Sequence, residues 1–82
     1  MPKKNRELKF EIANELGVIL EGSNGWRFEF NRVIWHGRDP KYDIRQWGPN
    51  HEKMGKGVTL SEQELRTLKV LIDNEISILD EE

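Results

Sequence analysis

The sequence has no cysteine among its 82 residues, which excludes a disulfide framework and any thiolate-bound metal. Such a chain suits a reducing cytoplasm. Long apolar runs are missing too. The longest uninterrupted one is Val18-Ile19-Leu20, far short of the roughly 20 residues that span a bilayer, and no signal-peptide core follows Met1-Pro2-Lys3-Lys4. His36 and His51 are the only histidines, and neither falls in a metal-ligand spacing such as His-Glu-x-x-His. No nucleophile stands in a defined turn beside His36, Asp39 or Asp43. Lys53-Met54-Gly55-Lys56-Gly57 lacks the P-loop spacing and reads as a flexible lead-in to a strand. Neither catalysis, a cofactor, a metal nor a membrane is therefore expected. A domain this small buries only about 60–65% of the surface its unfolded chain exposes, so dimerisation is a natural supplement to its stability.

What is present reads as strands followed by one helix. Residues 1–7 are polar and basic and are expected to form a flexible tail, with a single domain over 8–82. From Leu8 to Glu21, Phe10, Ile12, Leu16, Val18 and Leu20 alternate in two short runs, predicting a strand bent around Asn14–Gly17. Gly22-Ser23-Asn24-Gly25 is a turn. Trp26, Phe28 and Phe30 then alternate with Arg27 and Glu29, the period of a half-covered strand. The apolar positions shift to Val33 and Trp35 beyond Asn31, predicting a β-bulge near Asn31. Lys41–Trp47 is the third strand, Gly48-Pro49-Asn50 a turn, and Gly55–Leu60 the fourth strand. Ser61 with Glu64 makes a capping box. Leu65, Leu68, Leu71, Ile72, Ile76 and Leu79 recur at helical spacing over about Glu62–Leu79. The fold class is thus α+β: a four-stranded curved antiparallel sheet and one long C-terminal helix, whose end reaches past the sheet toward a second copy.

The third strand carries the chemistry. Alternation puts Tyr42 and Ile44 on one side and Lys41, Asp43, Arg45 and Trp47 on the other. With Tyr42 and Ile44 under the helix, the opposite face shows two cations and an indole. Cations suit phosphates and a flat π-surface suits unstacked bases, with about 1–3 kcal/mol per stacked base and no preference among them. Asp43 opposes this unless it is paired with Arg45 or another cation. Trp35, closing the second strand beside His36 and Arg38, offers another platform, whereas Trp26 is assigned to packing. Charge is uneven: Ser61–Glu82 holds seven acids and two bases, while the first sixty residues carry a net +3 within an overall −2. Taken alone, that is most simply an acidic solvated helix.

Tyr42-Asp43-Ile44-Arg45-Gln46-Trp47, followed by Met54-Gly55-Lys56-Gly57-Val58-Thr59-Leu60 and the capped helix, resembles the transcriptional coactivator positive cofactor four (p15) family, in particular its short bacterial members. The resemblance is specific from Lys41 to about Ile72 and looser upstream. It implies a homodimer that binds single-stranded DNA with little sequence dependence. By position, Arg45 and Trp47 match the motif's cation and aromatic, Lys56 the basic residue before the fourth strand, and Lys41 the one entering the third. Trp35 stands where an aromatic is expected; Lys53, Arg27 and Lys9 complete the expected DNA-binding set. The serine-rich regulatory tail of eukaryotic members is missing, so strand binding follows and coactivator activity does not. The expected setting is cytoplasmic and nucleoid-associated, in transcription regulation or in DNA repair and replication. Two rivals stay open: a protein-interaction module using the aromatic face, and an RNA-binding chaperone.

Overall fold

A computed structural model describes residues 9–81; Leu8 and the expected tail lie outside the described residues. Strands β1 (Phe10–Glu21), β2 (Arg27–Trp35), β3 (Lys41–Trp47) and β4 (Met54–Leu60) precede helix α1 (Glu62–Asp80). The strands form one antiparallel sheet in the order β1-β2-β3-β4. Tight turns set this meander. Asn24 and Gly25 (φ 58° and 83°) turn β1 into β2, and His36 and Gly37 (φ 52° and 71°) turn β2 into β3. The segment after Gly48 winds into a short 3-10 turn, Pro49–His51.

The strands match the expected boundaries closely, but the bulge does not. Between β2 and β3 the register runs unbroken from Arg27↔Trp47 to Val33↔Lys41, so there is no bulge at Asn31 on that side. One irregularity lies between β3 and β4, where Arg45↔Gly57 is followed by Trp47↔Met54. Three more lie in β1, where Ile12↔Val33 is followed by Asn14↔Arg32, Glu15↔Asn31 by Gly17↔Phe30, and Val18↔Glu29 by Leu20↔Phe28. Ala13, Leu16 and Ile19 are the extra residues, the second lying within the bend expected at Asn14–Gly17. Each extra residue bends its strand and adds right-handed twist, and three in one strand curl the sheet strongly. The apolar shift along β2 has another cause. Phe28 and Phe30 face the helix side while Val33 faces the other, and both sides are covered. Apolar residues can therefore change face without any change of register.

The core lies on the side away from the helix. Val33 and Trp47 are completely buried there with Glu29, Asn31 and Asp43. Tyr42 and Ile44 do face the helix, as expected: Ile44 lines an apolar groove of about 250 Å³ with Ile19, Phe30, Leu65, Leu68 and Ile72, and Tyr42 lines a second groove with Leu65 and Arg66. The cap forms as read: the Glu64 N–H donates to Ser61 Oγ at 3.1 Å and the Ser61 N–H to Glu64 Oε1 at 2.8 Å. Yet no residue of α1 is buried, and Val70, Leu71, Ile72, Ile76, Ile78 and Leu79 stay exposed. Among the described residues no helix is long and apolar enough to cross a membrane.

Candidate nucleic-acid interface

On the curled face, alternate residues of β2 and β3 stand opposite one another, pairing Glu29 with Arg45 and Asn31 with Asp43. The fully buried Asp43 carboxylate accepts from Arg45 Nε at 3.0 Å, Arg45 Nη2 at 2.9 Å and Thr59 Oγ1 at 3.0 Å. Arg45 Nη1 donates to the Gly55 carbonyl at 3.1 Å, and its guanidinium lies 5.2 Å from the centre of the Trp35 ring. Across from Arg45 the chain has Gly57. A Cβ there would meet the Ile44 carbonyl and come within 2.6 Å of Arg45 Cβ, so this glycine makes room for the locked arginine. The pairing that would reconcile Asp43 with a cationic face is therefore present.

A second network surrounds Glu29. Its Oε1 accepts from Asn31 Nδ2 at 2.9 Å and His51 Nε2 at 2.8 Å, while Arg27 lies 3.9 Å from Oε2. Burial alone would push this carboxyl up; the bonds from Asn31 and His51 and the positive charge of His51 and Arg27 outweigh it and hold it below its ordinary value. His51 also sets its edge against Trp47, with centroids 5.2 Å apart at 80°. Phe10 covers Trp47 on another side at 5.1 Å and touches Trp35 at 6.1 Å. The rings thus form a row, Trp35–Phe10–Trp47–His51. The indole N–H groups of Trp35 and Trp47 are buried without a hydrogen-bond partner among the described residues.

This geometry corrects one expectation. Trp47 is not on the surface: the curl of the sheet brings the start of β1 across it, and its exposure is zero. Trp35 is half-buried, between surface and core. Trp26 packs as expected, its ring lying over the missing Cβ positions of Gly48 and Gly55. The fold brings Trp35, Arg45 and Trp47 together. Lys41, Lys53, Lys56, Arg27 and Lys9 are exposed on the segments that border them. Lys9 precedes Phe10, Arg27 pairs with Trp47 across the sheet, and Lys53 accepts the Gly48 N–H through its backbone at 2.8 Å. Phe10, Glu29, Asn31 and His51 were missed as site residues. Phe10 was visible only as one apolar position of the first strand, and nothing local placed it against Trp47.

A sequence profile of the Transcriptional Coactivator p15 (PC4) family matches residues 23–71. The chain belongs to this family. A Treponema pallidum (strain Nichols) protein, named only as uncharacterized, is similar to it, with 40% identity over 70 residues that cover 85% of this chain and 82% of the relative. PC4 proteins bind single-stranded DNA and are not enzymes. The PC4 match contains Trp35, Lys41, Asp43, Arg45, Trp47, His51, Lys53 and Lys56, and ends within α1. Phe10 and Lys9 lie outside it.

Proposed function

We propose that this protein binds single-stranded DNA with little sequence preference on the curled face of its sheet, as a homodimer, within transcription regulation or DNA repair and replication in the nucleoid. The supporting observation is the partly exposed Trp35, backed by a row of rings and accompanied by exposed cations on neighbouring segments. Trp35 is the stacking surface, Trp47 supports it through Phe10, and Lys41, Lys53 and Lys56, with Arg27 and Lys9, face phosphates. A π-face accepts any base, which accounts for the lack of sequence preference. The binding domain spans residues 8–82.

The homodimer is supported by the apolar surface that the single chain leaves bare. Six large aliphatic residues of α1 and four of β1 (Leu16, Val18, Ile19 and Leu20) are exposed. A monomer ordinarily scatters such residues. A second copy, docking the same surface by a twofold axis, would cover the outer arc of the helix from Leu71 to Leu79. Each partner needs to bury about 800 Å² for a stable interface.

The test is tryptophan fluorescence during titration with a deoxythymidine oligonucleotide, its matched duplex and the equivalent RNA, at low and physiological salt. Quenching by the DNA strand, weakened by salt and poorly reproduced by duplex, is the expected result. Equal or stronger quenching by RNA would transfer the site to RNA. No response to any strand at low salt would replace nucleic acid with a protein ligand on this face.

A further inference from the structure

We infer that Arg45 is a positioning residue that fixes the Trp35 ring for stacking, and not a phosphate contact. The inference rests on the single-strand-binding reading and adds a division of labour within it. Three features of the geometry carry it. The guanidinium is already held on several sides, by both oxygens of Asp43 and by the Gly55 carbonyl, and its side chain is only 13% exposed. The Asp43 charge beneath it is completely buried and depends on it; moving Arg45 to a phosphate would leave that carboxylate buried with Thr59 as its remaining side-chain donor. Lastly, the cation sits over the indole of Trp35, where the ring quadrupole attracts it.

The pair is also electrically neutral, so it adds little to the attraction of a polyanion. Its contribution is geometric. Asp43 and Thr59 set the fork, the fork sets the guanidinium plane, and the guanidinium backs one face of Trp35. The exposed part of the ring then meets a base without first losing rotamer freedom. Gly57 belongs to the same device, since a side chain there would displace Arg45 from its seat. Lysine cannot replace the arginine, because an ammonium has neither the planar fork nor the flat face that lies against indole.

The experiment compares Arg45→Lys, Arg45→Gln, Trp35→Ala and the Arg45→Gln/Trp35→Ala double variant with the unmodified protein. It measures affinity for a deoxythymidine oligonucleotide across a salt series. If Arg45 positions Trp35, Arg45→Lys and Arg45→Gln both weaken binding about 5- to 30-fold, the range for a desolvated cation–π contact, with an unchanged salt slope. Arg45→Gln then adds little once Trp35 is already removed. A phosphate contact predicts the reverse: Arg45→Lys stays near the unmodified affinity, and Arg45→Gln flattens the slope by about 0.7. In case the variants fold poorly, the Arg45 Nε–H resonance is followed in the unmodified protein. It should stay in place on adding the strand while the Trp35 indole N–H moves, and a displaced Arg45 signal coupled to phosphorus would overturn the inference. An unmodified protein that binds no strand would remove the site reading and this role together. Binding with Arg45 on a phosphate would remove the role alone.

Discussion

Replacing Trp47 by alanine separates a core tryptophan from a stacking one. Trp47 is fully buried against Phe10 and His51. An indole buries some 150–250 Å², and at about 25 cal/mol per Å² its removal forfeits about 4–6 kcal/mol. That figure is an upper one, because the unfolded chain already hides part of the ring. Large-to-small substitutions of tryptophan cost about 3–5 kcal/mol, and we take that range. At about 0.05–0.15 kcal/mol per residue, a chain of this length has about 4–12 kcal/mol to lose, so Trp47→Ala sits near the edge of folding. Trp47→Phe keeps a ring and removes the indole N–H that has no partner. Relief of that desolvated donor, worth about 1–3 kcal/mol, offsets much of the lost volume, so the phenylalanine variant should be far less affected. The assay is urea denaturation followed by far-ultraviolet circular dichroism, at one fixed protein concentration because association adds to apparent stability. A Trp47→Ala variant within about 1 kcal/mol of the unmodified protein, but unable to bind a DNA strand, would refute the burial argument and return Trp47 to the surface.

Three further outcomes follow from other parts of the fold. Leu71→Glu combined with Ile78→Glu, on the exposed helix face, should give a monomer by analytical ultracentrifugation, and an unchanged mass would exclude α1 from the interface. Glu29 has a carboxyl held below its ordinary value of 4.5, so its contribution to stability is complete above that pH and is lost as pH falls through the lower folded value. Unfolding curves between pH 6 and 3 should therefore be less steep in pH for Glu29→Gln, and parallel curves would show that the Asn31–His51 network contributes nothing to acid sensitivity. Gly57→Ala should cost about 1–3 kcal/mol by overpacking against Arg45 and the Ile44 carbonyl, whereas a neutral result would mean that β4 yields there.

The helix could be read because its signals are local: Ser61 and Glu64 cap it, and its leucines and isoleucines recur at 3.6-residue spacing. The third strand was equally legible, since alternation alone decides which side Tyr42 and Ile44 take. What escaped is the curl. Extra residues at Ala13, Leu16 and Ile19 exist only relative to a partner strand, and no residue type marks them. Once the sheet curls, a face that alternation labels outer becomes the core. Trp47 is buried for this reason, on the face that alternation gives it. The same curl accounts for Asp43 and Glu29, two acids on this face: each is enclosed, Asp43 bonded to Arg45 and Glu29 to Asn31 and His51.

Charge distribution, and not net charge, decides how such a chain meets DNA. The sequence is acidic overall at −2, but the acids buried in its sheet are engaged. Asp43 is paired with Arg45, and Glu29 with His51 and Arg27. Within α1, Glu62 holds Arg66 at 2.7 Å and Asp73 holds Lys69 at 2.6 Å, which consumes both bases of the helical segment. Of the remaining helix acids, Glu64 is near enough to Lys41 to feel its charge, while Glu75 and Asp80 stand toward the far end of α1. The Debye length is about 8 Å at physiological salt, so the repulsion of those distal acids is strongly screened. Lys41, Lys53 and Lys56 have no ion-pair partner among the described residues and stay exposed on the sheet half. These three with Arg27 and Lys9 make five cations on phosphates, and at about 0.7 each for a single strand they give a slope of about −3.5 in log affinity against log salt for each protomer. A slope near zero with strong quenching would mean that stacking alone holds the strand. A slope well beyond about −3.5 would require further cations, Arg45 first among them.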